Sequence, residues 1–273
     1  MRELGVDFIT VLGMPPVDFI RLTAELGCRS ISIAPQPITP NPYGFPAWSL
    51  LQDAALRRAT AAALREQGVR LAVGEGFFIM PGRSMRDMTA ALDLMSELGA
   101  AAVNAVVMEN DGARAADEFG ALVELAAARG MKTYLEFVPV LAVGTLPQAL
   151  ELVRRAGKPD ARIVIDAMHL IRGGSTPQDL ARLDPKLIGH VQICDAPAAY
   201  TQQGYAHEAT CERRVPGAGD LPLVDIIRAL PQDMPLGIEA PQASVAARGV
   251  DVRTHLRRCV DATRVLAEAA GAP

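Results

Sequence analysis

Short apolar runs recur along this chain, each followed by a longer stretch whose apolar positions return every three or four residues. The short runs have the length and the Val and Ile content of strands; the longer stretches have the period of amphipathic helices. Strands are expected at Val6–Leu12, Ser30–Ala34, Arg70–Val73, Ala102–Val107, Thr133–Val138, Arg162–Ile165, Gly189–Cys194 and Leu236–Ala240. Helical patterns fill the gaps, giving eight of each. The third helix is typical: Met85, Met88, Leu92 and Met95 share one face, Ser84 and Asp87 mark the start, and Gly99 marks the stop. The methionine stripe reads as packing, because any helix laid on a sheet needs such a face.

Strictly alternating strands and helices imply parallel strands joined by crossover helices. An open doubly wound sheet usually carries a glycine-rich phosphate turn after its first strand, whereas here that turn reads Leu12-Gly13-Met14-Pro15-Pro16. Closure into an α/β barrel, the (β/α)8 TIM barrel, also removes both exposed sheet edges. The 273 residues fit one such domain over positions 1–273, with no linker or low-complexity break.

Barrel chemistry collects where strands end and the following loops begin, so polar residues at those ends carry the functional information. Glu136 ends Thr-Tyr-Leu-Glu, Asp166 ends Ile-Val-Ile-Asp, Gln192 lies in His-Val-Gln-Ile-Cys, and Glu239 ends Leu-Gly-Ile-Glu. These are strands five to eight. Side chains alternate along a strand, so an inward direction for these positions makes all four converge. Three carboxylates and an amide in an apolar cup repel one another unless a cation holds them. Hard oxygen donors without a thiolate favour Mn2+ first, with Mg2+, Zn2+ or Co2+ compatible. Taken singly, each carboxylate reads equally well as a helix cap or half of an ion pair; the run of four is what argues for a metal.

Three residues after Asp166, His169 is placed to reach a metal-bound substrate or to orient a ligand. His190 shares a face with Gln192 one layer deeper, and reads either as a substrate-side group or as a satisfied core histidine. Arg213 and Arg214 precede the turn Pro216-Gly217-Ala218-Gly219, where one guanidinium can be aimed at a substrate oxygen. His207 and His255 are expected at the surface. In the loops 36–48 and 198–214, Phe45, Trp48, Tyr200 and Tyr205 suit either stacking on a ligand or a contact between subunits of a homo-oligomer.

Composition narrows the classes. A net charge of −4 and four histidines leave no basic surface for nucleic acid. The four cysteines are scattered, without the paired spacing of a zinc or redox motif. The opening residues lack a secretion signal and no apolar run is long enough to cross a bilayer, so the expectation is a cytoplasmic protein acting on a small molecule.

These motifs together resemble the xylose isomerase-like sugar isomerase/epimerase superfamily, related in fold to the endonuclease IV barrel. The resemblance spans the chain and is carried best by Glu136, Asp166-Ala-Met-His169, Gly189-His190-Val191-Gln192, Pro216-Gly217-Ala218-Gly219 and Gly237-Ile238-Glu239. It implies that Glu136, Asp166, Gln192 and Glu239 bind Mn2+ or a similar ion and that the two glutamates exchange substrate protons through a stabilised enediolate. Many members have histidine at the strand-seven position; Gln192 is similar to the hydroxypyruvate isomerase-like branch. Strand two lacks the glutamate often found there. The resulting expectation is an isomerase or epimerase of a ketose, sugar derivative or hydroxy-keto acid, within carbohydrate metabolism. The alternatives are a dehydratase or other lyase on the same barrel, and a non-catalytic sugar-binding or partner subunit. Cleavage of phosphodiesters by a histidine-rich zinc cluster is disfavoured by the four histidines.

Overall fold

In the computed structural model, which describes residues 2–200 and 202–271, eight parallel strands close into a barrel in chain order. They are β1 (Leu4–Val6), β2 (Ser30–Ile33), β3 (Arg70–Ile79), β4 (Ala102–Val107), β5 (Lys132–Glu136), β6 (Ala161–Asp166), β7 (Ile188–Ile193) and β8 (Leu236–Ile238). Closure is made by β1 on β8, with Gly5 opposite Gly237. The expected termini Met1, Ala272 and Pro273 lie outside the described residues, as does Thr201 in the loop after β7.

Two strands differ most from the sequence pattern, while the fifth and eighth stop two residues earlier than expected, at Glu136 and Ile238. The first ends at Val6 rather than Leu12, and Phe8–Val11 forms a 3-10 turn. Asp7 still donates to Ile238 at 2.9 Å, but Thr10 then donates back to Asp7 at 3.0 Å and the chain curls over the rim. Phe8, Ile9, Val11 and Leu12 are all buried there; alternating apolar residues satisfy a buried turn as well as a strand. The third strand runs on to Ile79 because its register shifts between Gly74 and Phe77. Gly76, at φ +96°, takes the left-handed turn that this bulge requires.

Eleven α-helical segments are present among the described residues, rather than eight. The additional ones are short and cluster after β6, β7 and β8: Pro177–Ala181, Leu223–Ala229 and Ala243–Ala247. The methionine face behaves as expected, with Met85, Leu92 and Met95 buried against the barrel. Each contributes about 2 kcal/mol of burial. Ser84 caps that segment by accepting from Arg86. No helix among the described residues is long and apolar enough to cross a membrane.

Inside the barrel, Val73, Ala102, Tyr134 and Val164 form a small apolar plug. Gly237 leaves room for polar groups: a Cβ there would collide with Asp7 Oδ2 and lie 2.9 Å from His190 Nε2. The larger core lies between the strands and the helical shell, so the barrel mouth above the plug is free to carry chemistry.

Candidate active site

Glu136 and Asp166 close β5 and β6, Gln192 lies one residue inside the end of β7, and Glu239 follows β8 directly. Asp166 pairs with Gln192 across β6 and β7, and Gln192 pairs with Gly237 of β8. All four side chains are buried. Gln192 Nε2 donates to Glu239 Oε1 at 2.8 Å. Ligand-type atoms of Glu136, Asp166 and His169 lie within 4.8 Å of one another. Asp166 also caps the helix Ala167–Arg172, its Oδ1 accepting the His169 backbone N–H at 2.8 Å. That cap turns the His169 ring back over the mouth, with Nε2 3.5 Å from Glu136 Oε1.

Arg213 is the cation of this cluster. Its Nη1 donates to Asp166 Oδ2, its Nη2 lies 3.0 Å from Glu239 Oε2, and its Nε donates to the Ala209 carbonyl at 2.6 Å. Arg214 turns away: its backbone pairs with Asp195 and its guanidinium donates to the Ala218 carbonyl at 3.3 Å. His190 is also apart from the mouth. It pairs with Asp7 at 3.0 Å and lines a cavity of about 420 Å³ at the opposite, N-terminal end of the barrel, with Ser30, Arg70 and Tyr134. His255, expected at the surface, is buried and bonded through Nε2 to the Ala240 carbonyl at 2.8 Å. It lies on the inner face of the helix Val252–Ala269 with Leu256 and Cys259, a face that the three- to four-residue spacing encodes.

Two polar residues on the other side of the mouth escaped the sequence reading. Asn104 of β4 donates from Nδ2 to Glu136 Oε2 at 2.6 Å and to Glu75 Oε2 at 3.0 Å. The signal was available: Asn104 interrupts Ala-Val-Asn-Ala-Val, and Glu75 sits between glycines in an apolar run. The sequence offers Tyr205 for stacking on a ligand or for a subunit contact, not for a link to His169. Tyr205 lies on the helix Gln202–Cys211, inside the stretch taken for an irregular loop, because that helix has no apolar stripe to announce it. Of the other loop aromatics, Trp48 donates to the Gly13 carbonyl at 3.0 Å, Phe45 packs on Tyr43, and Tyr200 lies against Arg172.

The buried charges pull in different directions. Burial alone would raise the Asp166 carboxyl, but Arg213 and then His169 outweigh it and hold the group below the ordinary carboxylate range. Glu239 goes the other way: burial first, then repulsion from Glu136, Asp7 and Asp166, push it well above that range in spite of Arg213. Burial and the neighbouring Glu136 push Glu75 up to about 8. Gln192 Oε1 is buried without a hydrogen-bond partner, as is Glu75 Oε1. A partnerless amide oxygen among excess carboxylates fits a cation, to which the neighbouring Glu136 and Asp166 carboxylates offer oxygen donors.

Above this floor opens a cavity of about 380 Å³ whose walls include Phe8, Phe77, Phe78, Val106 and Met108. A closed eight-stranded barrel with convergent oxygen donors at its C-terminal mouth defines the class: an α/β barrel with a candidate metal site. The profile of the family described as "Xylose isomerase-like TIM barrel" matches residues 20–261, and the chain belongs to that family. Over 124 residues, 42% of this chain, it is 34% identical to a 3-dehydroshikimate dehydratase of Pseudomonas aeruginosa, of whose length the match spans 19%. Its fold is similar to that of the IolI protein with a bound zinc atom (TM-score 0.80, 19% identity, 97% of this chain and 98% of that one). It is also similar to D-psicose 3-epimerase crystallised with D-fructose (TM-score 0.73, 15% identity, 98% and 99%).

Proposed function

We propose that the chain is a divalent-metal-dependent isomerase or epimerase of a small ketose, sugar derivative or hydroxy-keto acid, in which glutamates move a proton at the carbon beside the substrate carbonyl. The observation that carries this reading is the convergence of Glu136, Asp166, Gln192 and Glu239 at one mouth, with Gln192 Oε1 left without a protein partner. These four residues would hold the ion, which when bound polarises the carbonyl and acidifies the adjacent C–H. Their oxygen donors suit Mn2+ or Mg2+, and Zn2+ is compatible.

Glu136 serves as the base. The Asn104 amide steadies Oε2 at 2.6 Å and leaves Oε1 on the His169 side of the cavity. Glu239, brought in from β8 beside Gln192, complements it as the carboxyl that returns a proton. Arg213 keeps Asp166 anionic, and His169 is aimed at a substrate oxygen. The apolar walls around Phe8, Phe77 and Phe78 keep bulk water from the proton in transit. Incubating metal-loaded protein with ketoses and keto acids in deuterated water tests this. Deuterium should enter at the α-carbon with wild type and not with Glu136→Gln; no exchange with any substrate would sink the reading.

A second reading keeps the same base but expels a β-hydroxyl as water. It is favoured by the stretch similar to the Pseudomonas aeruginosa dehydratase and by His169, an acid other than a carboxylate, beside Glu136. A product lighter than its substrate by one water distinguishes it from isomerisation.

A further inference from the structure

His169 carries two ring nitrogens, and what each faces decides its chemistry. Nε2 faces Glu136 Oε1 across 3.5 Å. Nδ1 lies 2.7 Å from the hydroxyl of Tyr205, whose side chain is fully buried. The nearest Asp166 oxygen to Nδ1 is 3.8 Å away, beyond hydrogen-bond reach.

We propose that Tyr205 is a positioning residue: its hydroxyl donates to His169 Nδ1 and holds the ring in the form protonated at Nε2, so that His169 offers a proton to the cavity rather than a lone pair to a metal. Consider the opposite tautomer. Nδ1–H would donate to the phenol oxygen, leaving the buried hydroxyl hydrogen without its one recorded acceptor among the described residues. The Nε2 lone pair would then face a carboxylate oxygen. A doubly protonated ring would strand the phenol hydrogen in the same way. Only the form with hydrogen at Nε2 gives the phenol its acceptor, and it turns the Nε2 hydrogen rather than a lone pair toward the nearest carboxylate; an unpaired buried donor costs about 1–3 kcal/mol.

The surroundings keep the phenol in place. Arg172 lies over the Tyr205 ring with its charge 5.5 Å from the ring centre, and is itself anchored by Glu208 at 2.7 Å and the Pro197 carbonyl at 2.8 Å. Tyr200 packs edge-on against Tyr205 at 5.2 Å. Burial pushes the Tyr205 hydroxyl well up, so it remains a donor. The consequence is a division of labour. Although His169 lies among the ligand-type atoms, neither of its nitrogens is available to a metal: one is engaged by Tyr205 and the other bears hydrogen. The cation is left to the carboxylates and Gln192, and His169 to the substrate oxygen.

The catalytic consequence rests on the function proposed above; the tautomer does not, and it is read without any substrate. In metal-free protein labelled with 15N histidine, on the alkaline side of neutrality, the His169 Nδ1 resonance should lie in the unprotonated range and Nε2 in the protonated range. The assignment comes from the signals lost in His169→Gln. In Tyr205→Phe the two shifts should move toward an even mixture. Once a substrate is in hand, kcat should fall about 10-fold or more while KM changes less than about twofold. A protonated Nδ1 in the wild type overturns the proposal, whether or not Tyr205→Phe folds, and so does an unchanged spectrum in a folded Tyr205→Phe. A correct tautomer without proton exchange would instead count against the proposed activity alone.

Discussion

The barrel interior holds two polar groups at different depths, and they differ in how fully their atoms are paired. The deeper one is Asp7 with His190, a 3.0 Å ion pair seated in the space left by Gly237; no side-chain atom of either is buried without a partner. The upper one, Glu136, Asp166, Gln192 and Glu239 around Arg213, has a partnerless amide oxygen and a carboxyl pushed well above its ordinary range. A closed pair in a low-dielectric core is spent on holding the barrel together; an incomplete cluster is held ready for something that is not protein. The same residue types thus take different roles according to whether their hydrogen bonds close.

The largest expected effect breaks the upper cluster. Glu136→Gln and Glu239→Gln should each lower proton exchange by about 100-fold or more, with stability equal to or above wild type because a buried carboxylate is removed. Exchange rates alongside denaturant unfolding check both halves of that statement. Changing the lower pair should do the reverse. His190→Ala leaves Asp7 buried and uncompensated, so unfolding free energy should drop by about 3 kcal/mol while metal binding persists. Burial alone would lower the His190 value, but the charge and hydrogen bond of Asp7, joined by Glu75 and Glu136, raise it above its ordinary 6.5. The stability from this pair is therefore full below 6.5 and fades as pH rises through the raised value, which unfolding curves at several pH values resolve.

Glu75 sharpens the contrast from the side. Its carboxyl sits at about 8 in the folded chain against an ordinary 4.5. Between those values the unfolded chain loses a proton that the folded chain keeps, so wild-type stability declines as pH rises across the window. Glu75→Gln should abolish that decline, gaining up to roughly 5 kcal/mol on its alkaline side. The smallest effect is expected outside the barrel at His255, whose value burial lowers. Its contribution is complete above 6.5 and is lost as pH falls below it, because the unfolded chain then takes up a proton. His255→Gln should flatten that acid limb in thermal melts.

How far the sequence could be read follows the same physics. Strands five to eight were legible because each is a short apolar run ended by a polar residue, and Glu136, Asp166, Gln192 and Glu239 all fall at or beside those ends. The first strand looks longer in sequence than it is because Phe8, Ile9, Val11 and Leu12 are apolar for a buried turn. Glu75 and Asn104 went unnoticed since they sit within strands, where a polar residue signals an inward group only once the bulge at Gly76 fixes the register. Arg213 and Arg214 are indistinguishable by composition; the backbone pairing of Asp195 with Arg214 sends one guanidinium inward and the other out. His190 shared the alternation of Gln192 as expected, but depth is a three-dimensional property, and the glycine that makes room for it lies on a neighbouring strand. The helix carrying Tyr205 has no apolar period, so its link to His169 exists only in the fold.

If the upper cluster is a divalent-metal site, calorimetric titration of Mn2+ into metal-free protein will reveal it. About one ion should bind per chain in wild type and in His190→Gln, with affinity reduced about 10-fold or more in Asp166→Asn. Absence of stoichiometric binding by wild type, or equal affinity in Asp166→Asn, would contradict it.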